Sequence, residues 1–311
     1  MITHPGDRPV PAQLRGAVVA LGNFDGFHVG HQAVVGRALA LARQTGRMAL
    51  VATFDPHPAR LFRPDSPPFL LTTIDQRCAL FDAFGMDGAI VLPFDHAMAS
   101  VTPEGFVAEW LADRVGASAV VTGHDFTFGR NRDGDTEALA TIGGRYGIAA
   151  EAIEAVEADG GIASSTRIRQ HLRAGEMAAA TRLLTRPYTI AGIVQHGDKV
   201  GRTIGYPTAN IAMGDYLRPA YGIYAARGRL ADGRVLDGAA NLGIRPQFDP
   251  PKELLEPHFF DFSGDLYGQP VAVELIAHLR PEARFDSLDA LIAQMDADCV
   301  EARRILGSSP P

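Results

Sequence analysis

The stretch Gly22-Asn23-Phe24-Asp25-Gly26-Phe27-His28-Val29-Gly30-His31 decides the fold of the first half of the chain. It follows a short apolar run, Ala17 to Leu21, and opens a helical pattern that extends from Gly30 to Gln44. A strand that breaks into a glycine-rich turn and re-forms as a helix is the start of an α/β unit. Small residues at Gly22, Gly26 and Gly30 let backbone N–H groups approach a phosphate closely, and a helix start adds partial positive charge there. His28 and His31 stand three apart, so they share one face of a helix or tight turn. Two imidazoles beside such a cradle can donate hydrogen bonds to a phosphate under attack. The same pair could begin a metal site, but no third ligand stands nearby. A purely structural glycine turn is the other reading, and HxGH on strand–turn–helix is more specific than glycines alone.

Outward from this stretch the pattern alternates. Met48 to Phe54, Ala89 to Leu92 and Ala119 to Thr122 read as strands; Ile74 to Phe84 and Pro103 to Val115 read as helices, the latter capped by Thr102. Continuous apolar strands separated by helices predict a parallel sheet covered on both faces. Further on, Gly161-Ile162-Ala163-Ser164-Ser165-Thr166-Arg167-Ile168-Arg169 joins hydroxyls that can cap a helix to arginines that can grip phosphate oxygens. Alone it reads as well as an ordinary capped helix; beside HxGH it becomes the second half of a triphosphate clamp.

The pattern changes near residue 186. Tyr188 to Val194, Gly222 to Arg229, Val235 to Asn241, His258 to Phe262 and Val271 to His278 are strand-like and separated by turn residues, which predicts an antiparallel sandwich or barrel. A last helix is expected from Ser287 to Leu306, with Leu288, Leu291, Ile292, Met295 and Cys299 on its packed face. The domain boundary is set at Arg186–Pro187, giving domains 1–186 and 187–311. In the second domain, His196-Gly197-Asp198-Lys199-Val200-Gly201-Arg202-Thr203-Ile204-Gly205-Tyr206-Pro207-Thr208-Ala209-Asn210 joins a strand to a loop. Thr208 and Asn210 are two apart, so in extended chain both point the same way. A hydroxyl and an amide oxygen side by side suit Mg2+, a hard cation that takes oxygen ligands; a polar edge-strand turn is the plainer reading.

Composition narrows the classes. The 311 residues suit two domains, and a hydrophobic fraction of 46% is that of a globular protein. The formal charge of −7 argues against a general nucleic-acid binder but not against small anionic ligands. Cys78 and Cys299 form no CxxC pair and are read as reduced thiols. Met1 to Arg15 lacks the apolar core of a signal peptide, and no apolar stretch approaches the ~18–20 residues of a membrane span. A cytoplasmic protein without membrane or nucleic-acid partners is expected; the sequence is silent on oligomeric state.

HxGH with SSTxxR resembles the nucleotidyltransferases that release pyrophosphate. The fuller string GNFDGFHVGH, with Thr53 to Pro58 and Gly123 to Gly129, looks like the adenylyltransferase module of bacterial bifunctional riboflavin kinase/FAD synthetases, with Asp55 where that family usually has Glu. GRTIGYPTAN closely matches the riboflavin kinase signature, and Tyr221 to Tyr224, Gly238 to Gly243, Leu255 to His258 and Asp265 to Gly268 follow in order. The resemblance runs from about residue 16 to 306. It implies a Rossmann-like nucleotidyltransferase domain of α/β class and a C-terminal antiparallel β-barrel with a terminal helix. It implies an enzyme that phosphorylates riboflavin to FMN and adenylylates FMN to FAD, using ATP and Mg2+.

Site roles follow by the same resemblance. His28 and His31 contact the ATP phosphates; Gly22, Asn23, Phe24, Asp25, Gly30 and Asp125 line the adenylyl site; Ser164, Thr166 and Arg167 hold the leaving pyrophosphate. Gly201, Arg202, Gly205, Pro207, Thr208 and Asn210 hold ATP and Mg2+ in the kinase, with Arg280 and Phe285 in a flap near the flavin. The kinase base falls on Glu256, with Glu253 near enough to leave the register open. The family's Thr after Arg-Pro is replaced here, in Arg245-Pro246-Gln247-Phe248, and Asp249 to Leu254 reads as an insert. Two other readings stand beside this one: a single-activity enzyme with one decayed module, and a flavin-binding or sensor protein without catalysis.

Overall fold

Short apolar runs need cover on both faces, and the first part of the chain supplies it. The protein is described by a computed structural model covering residues 1–196, 205–245 and 252–307. Its strands begin with Ile2–Pro5 (β1), Val18–Leu21 (β2), Ala49–Asp55 (β3), Gly88–Pro93 (β4), Ala119–Gly123 (β5) and Ala149–Ile153 (β6). They form a six-stranded sheet in the order β1-β4-β3-β2-β5-β6, and every pairing is parallel. Val18, Ala20, Val51, Ala89 and Val121 face one layer, with Val34, Val35, Ala38 and Phe81. Val19, Leu21, Leu50, Ala52, Ile90 and Val120 face the other, with Phe106, Trp110, Leu111 and Leu139.

The helices of this part start and stop where local chemistry dictates. Val29–Thr45 (α1) is capped by His28 and ends at Gly46 in the left-handed region. Pro58–Phe62 (α2) is short and capped by His57. Ile74–Ala83 (α3) opens with a Thr73/Gln76 capping box. His96–Ala99 (α4) precedes Pro103–Gly105 (α5), where Thr102 caps as expected. From there Phe106–Val115 runs as a wide π-type helix that buries Phe106, Trp110, Leu111 and Val115. Thr136–Arg145 (α6) leads into β6. Neither β1 nor β6 is among the expected strands: β1 is a largely exposed edge strand, and β6 reads Ala-Ala-Glu-Ala-Ile, poor in the β-branched residues that mark strands.

The chain divides into two compact units, 1–67 with 72–164, and 68–71 with 165–311. After the small hairpin Glu157–Ala158 (β7) and Gly161–Ile162 (β8), the second unit opens with helices Ser165–Arg173 (α7) and Met177–Leu184 (α8). The strands Tyr188–Ile193 (β9), Ile211–Ala212 (β10), Gly222–Leu230 (β11), Val235–Arg245 (β12), Lys252–Phe259 (β13) and Pro270–Arg280 (β14) pair antiparallel in the order β10-β13-β12-β11-β14-β9. A bridge from Gln195 to Asn210 links the two ends, so the sheet is a nearly closed barrel. Ile190, Ile211, Tyr224, Leu242, Leu255 and Val273 are its buried apolar filling. The helix Leu288–Gly307 (α9) packs outside, over Ala225 and Ala239.

Two expectations are corrected here. The strand expected from His258 to Phe262 is Lys252–Phe259; its charged start and Pro257 hide it, although Pro257 keeps a useful carbonyl, which accepts from Ala209 N at 2.9 Å. In α9 the buried residues are Asp298, Ala302 and Leu306, whereas Leu288 is exposed.

Candidate active sites

In the sheet order, β2 leads to β3 and β4 on one side, and the chain then returns to lay β5 on the other side of β2. Ligands of open α/β sheets bind beyond the carboxyl ends of strands at such a reversal. The loop Gly22–His31 follows β2 and the turn at Gly123–Gly129 follows β5, so both flank this crevice. Asp125 is exposed in that turn. A Cβ built on Gly123 would stand 3.1 Å from its carboxylate.

His28 stands at the N-cap of α1, and its Nδ1 accepts from Gly30 N at 3.2 Å. Its ring stacks on that of His31 with centroids 3.6 Å apart, and Phe24 meets His31 edge-on at 5.4 Å. Gly30 leaves little room for a side chain: a Cβ would crowd the His28 ring at 3.1 Å and touch the Ala163 carbonyl at 3.5 Å. A Cβ on Gly22 would likewise crowd the Phe24 ring at 3.1 Å. The loop follows a tight path, with φ of 49° at Phe24 and 40° at Phe27. Two buried ties hold it. The Asp25 carboxylate accepts from Thr72 N at 3.0 Å and Thr72 Oγ1 at 3.1 Å, and Gly26 N donates to Thr72 Oγ1 at 3.0 Å. The Asn23 carbonyl accepts from Arg77 Nη1 at 2.8 Å and Thr53 Oγ1 at 3.0 Å. Asn23 Oδ1 is buried with no hydrogen-bond partner among the described residues.

Thr72 and Arg77 are absent from the sequence-predicted set. One signal was present: Ile74, Arg77, Cys78 and Phe81 fall at the spacing of a buried helical stripe, and an arginine on such a stripe is out of place. Burial drives the Arg77 guanidinium below its ordinary pKa, with the charges of Asp25 and Asp55 working the other way. Ser164 closes the first unit; exposed Thr166 and half-buried Arg167 open α7 in the second.

The barrel brings a second group together. Asn241 faces Glu256 across β12 and β13, and its Nδ2 lies 3.4 Å from the Glu256 carboxylate. Ile211 faces Leu255 across β10 and β13. One residue further, that register sets Asn210 opposite Glu256, on the outer face that carries Ala239 and α9. Asn210 is buried and Thr208 half-buried. Pro207 offers its carbonyl to His258 Nδ1 at 2.9 Å. Neighbouring Tyr206 donates to Asp296 of α9; that hydrogen bond, with burial, pushes its hydroxyl up to about 12. Gly205 adopts φ 88°, a conformation that favours glycine.

Glu253 and Glu256 lie on opposite faces of β13. Glu253 pairs with Ile244, on the side opposite Glu256, where Arg218 Nε donates to it at 2.7 Å and Tyr221 also donates. Burial alone would raise the Glu253 carboxyl; Arg218 and Tyr221 hold it below its ordinary value. Arg280 is occupied by Asp298, with donors at 2.9 and 2.7 Å, and its guanidinium lies 5.7 Å over the Phe285 ring. Gly201, Arg202 and the Gln247 departure lie outside the described residues. Among the described residues no group of three or more His, Cys, Asp or Glu side chains forms a metal cluster.

Comparison with known proteins bears on both places. A family model of FAD synthetase matches residues 10–167, and one of riboflavin kinase matches residues 184–306. The bifunctional riboflavin kinase/FMN adenylyltransferase of Escherichia coli K12 is 35% identical over 300 residues, covering 96% of each chain. That of Pseudomonas fluorescens is 38% identical over 296 residues, 95% of this chain and 94% of its own. A crystal structure from Streptococcus pneumoniae titled as a macrolide-efflux protein superposes with a TM-score of 0.85 at 32% identity, covering 98% of this chain and 99% of that one. Among the described residues no helix is long and apolar enough to cross a membrane. Two family matches in tandem, over the loop at the sheet reversal and the row on the barrel, place the chain in the bifunctional riboflavin kinase/FMN adenylyltransferase family.

Proposed function

We propose that the two groups of residues divide the work between them. The chain is a riboflavin kinase and an FMN adenylyltransferase: one ATP phosphorylates riboflavin to FMN, and a second adenylylates FMN to FAD with release of pyrophosphate. In the adenylyl site, His28 and His31 hold the ATP phosphates at the start of α1, where the helix dipole also favours anions. Asn23 and Asp125 orient nucleotide and flavin, and Ser164, which follows the Ala163 carbonyl packed near Gly30, faces the departing pyrophosphate. An FMN phosphate oxygen attacks the α-phosphorus of ATP, and the bond to pyrophosphate breaks. The nucleophile is already anionic, so positioning and electrostatics carry the step.

In the kinase site, Glu256 accepts the proton of the riboflavin primary alcohol as its oxygen attacks the γ-phosphorus, and ADP leaves. Thr208 and Asn210 would hold Mg2+ together with the ATP phosphates. The donors gathered here are oxygens, and Asn241 Oδ1 is buried beside Glu256 without a hydrogen-bond partner among the described residues, which suits a hard cation. Bound with ATP, the ion would neutralise charge developing on the transferred phosphoryl group. Gly205 and Pro207 shape the loop behind these ligands.

The catalytic boundary is set at Arg186–Pro187, supported by the Thr185 left-handed turn that ends α8. The compact units divide earlier, after Ser164; the modules divide the chemistry. A cytoplasmic setting accords with Cys78 and Cys299, both free thiols. The observation that carries this reading is the Asn210–Glu256–Asn241 row. It is tested by Glu256→Gln and His31→Ala in the full chain, with riboflavin and FMN supplied separately. Glu256→Gln should lower riboflavin phosphorylation about 100-fold or more and leave FMN adenylylation near wild type; His31→Ala should do the reverse. Equal loss of both activities in either variant overturns the assignment.

A further inference from the structure

A cation sits directly behind the adenylyl-transfer loop. Arg77 is 1% exposed. Its Nη1 donates to the Asn23 carbonyl at 2.8 Å and to Thr53 Oγ1 at 3.1 Å, and Thr53 Oγ1 donates to the same carbonyl at 3.0 Å. Asn23 is where the chain leaves β2 for a turn in which Phe24 and Phe27, neither a glycine, have positive φ. Such backbone persists only where its surroundings over-determine it. On the far side of the turn, Thr72 holds Asp25 and Gly26, and Gln32 Nε2 donates to the Phe27 carbonyl at 3.0 Å. His28 and His31 follow at once.

We propose that Arg77 is a positioning residue for adenylyl transfer: by holding the Asn23 carbonyl together with Thr53, it fixes the turn that aims His28 and His31. This rests on the assignment of those histidines to the ATP phosphates. A hydrocarbon of similar volume would fill the space at lower desolvation cost, because burying a guanidinium is unfavourable unless it is paired and hydrogen-bonded. What a hydrocarbon lacks is the donor to Asn23. Asp25 and Asp55 offset the buried charge. Arg77 acts through the loop backbone, so its loss should weaken transition-state contacts more than ground-state binding.

The test uses the full chain with Arg77→Met, Arg77→Lys, Thr53→Val and, in parallel, His31→Ala. FMN adenylylation is read as kcat and as KM for ATP and FMN, with riboflavin phosphorylation on the same preparations as the internal control. Arg77→Met should lose about 30-fold in kcat with both KM values within about 3-fold, the size expected of a small misplacement at a reacting centre. Arg77→Lys, which keeps one donor, should recover most of it. Thr53→Val removes the second donor with little change of shape and should lose about 5-fold in kcat. Unchanged kcat in Arg77→Met and Thr53→Val overturns the proposal, as does a rise in KM with kcat intact. If near-UV circular dichroism shows that Arg77→Met has lost its native fold, Thr53→Val decides alone by the same criterion. Full adenylylation by His31→Ala sinks the site reading, and this proposal with it. An inactive His31→Ala beside fully active Arg77→Met and Thr53→Val sinks this proposal only.

Discussion

Side chains alternate along β13, so Glu253 and Glu256, an odd number of residues apart, project from opposite faces. Glu256 joins Asn241 and Asn210; Glu253 is clamped by Arg218 and Tyr221. Neither clamp partner is visible from the local sequence, which is why the register stays open until the strands are paired. Glu253→Gln should leave riboflavin phosphorylation within about 2-fold and lower stability by about 1 kcal/mol, as the loss of a partly exposed, charge-assisted clamp does. The pH dependence follows from the direction of each shift. The Glu253 carboxyl is held low, so its stabilisation is complete above the ordinary carboxylate range and disappears as pH falls through the lowered value. Burial and its bond to Glu253 push Tyr221 up to about 12, so its share is lost only as pH rises through that value. Urea midpoints measured across acid pH should therefore fall less steeply for Glu253→Gln than for the wild type; parallel curves would show that the clamp contributes nothing.

Elements were legible where one periodicity ruled. Four of the six parallel strands follow from apolar runs, α1 and α3 from helical patterning, and α5 from the cap at Thr102; the caps at His28 and Thr73 appear only in the structure. Legibility failed where a distant partner changes what a residue means. The face of α9 is misjudged because Asp298 looks like a solvent residue until Arg280 on β14 is placed against it. The start of β13 is hidden by charges, one of which is the Glu253 that Arg218 holds. Arg77 on the buried stripe of α3 has the same cause. In the proposed adenylyl site the histidines and glycines stand out by their spacing; of the ties beneath them, Arg77 leaves a trace on the buried stripe of α3 and Thr72 leaves none. The α9 pin gives a prediction at this scale. Asp298→Asn leaves Arg280 without its counter-charge and should cost about 2 kcal/mol, below the range for fully buried pairs because Arg280 can still reach water. Hydrogen exchange should quicken in α9 and stay slow in β11 and β12. Replacing both partners, Arg280→Met with Asp298→Leu, should restore most of that stability. If riboflavin phosphorylation returns with it, Arg280 is a pin; if kinase kcat/KM stays low in a stable double variant, Arg280 also touches the flavin or ATP.

At the scale of the whole molecule, a chain of net charge −7 handles three anions, ATP, FMN and FAD. In the proposed reading it does so with local devices, a helix start at α1 and an oxygen-rich row on the barrel, because a small anion responds to the nearest dipoles and cations and not to the sum. The residues assigned to the two reactions do not overlap, and FMN is the product of one and the substrate of the other. If FMN passes through solvent, the reactions need not occur on the same molecule. A mixture of Glu256→Gln and His31→Ala chains should therefore convert riboflavin to FAD, although neither does so alone: the first makes no FMN, and the second accumulates it. FAD should appear after a lag in which free FMN rises, and the lag should shorten as protein concentration increases. Chromatography of riboflavin, FMN and FAD over time reads all three. If each variant keeps its remaining activity and the mixture still yields FMN without FAD, then FMN does not exchange between chains, and two sites joined only by a diffusing intermediate is the wrong description of this enzyme.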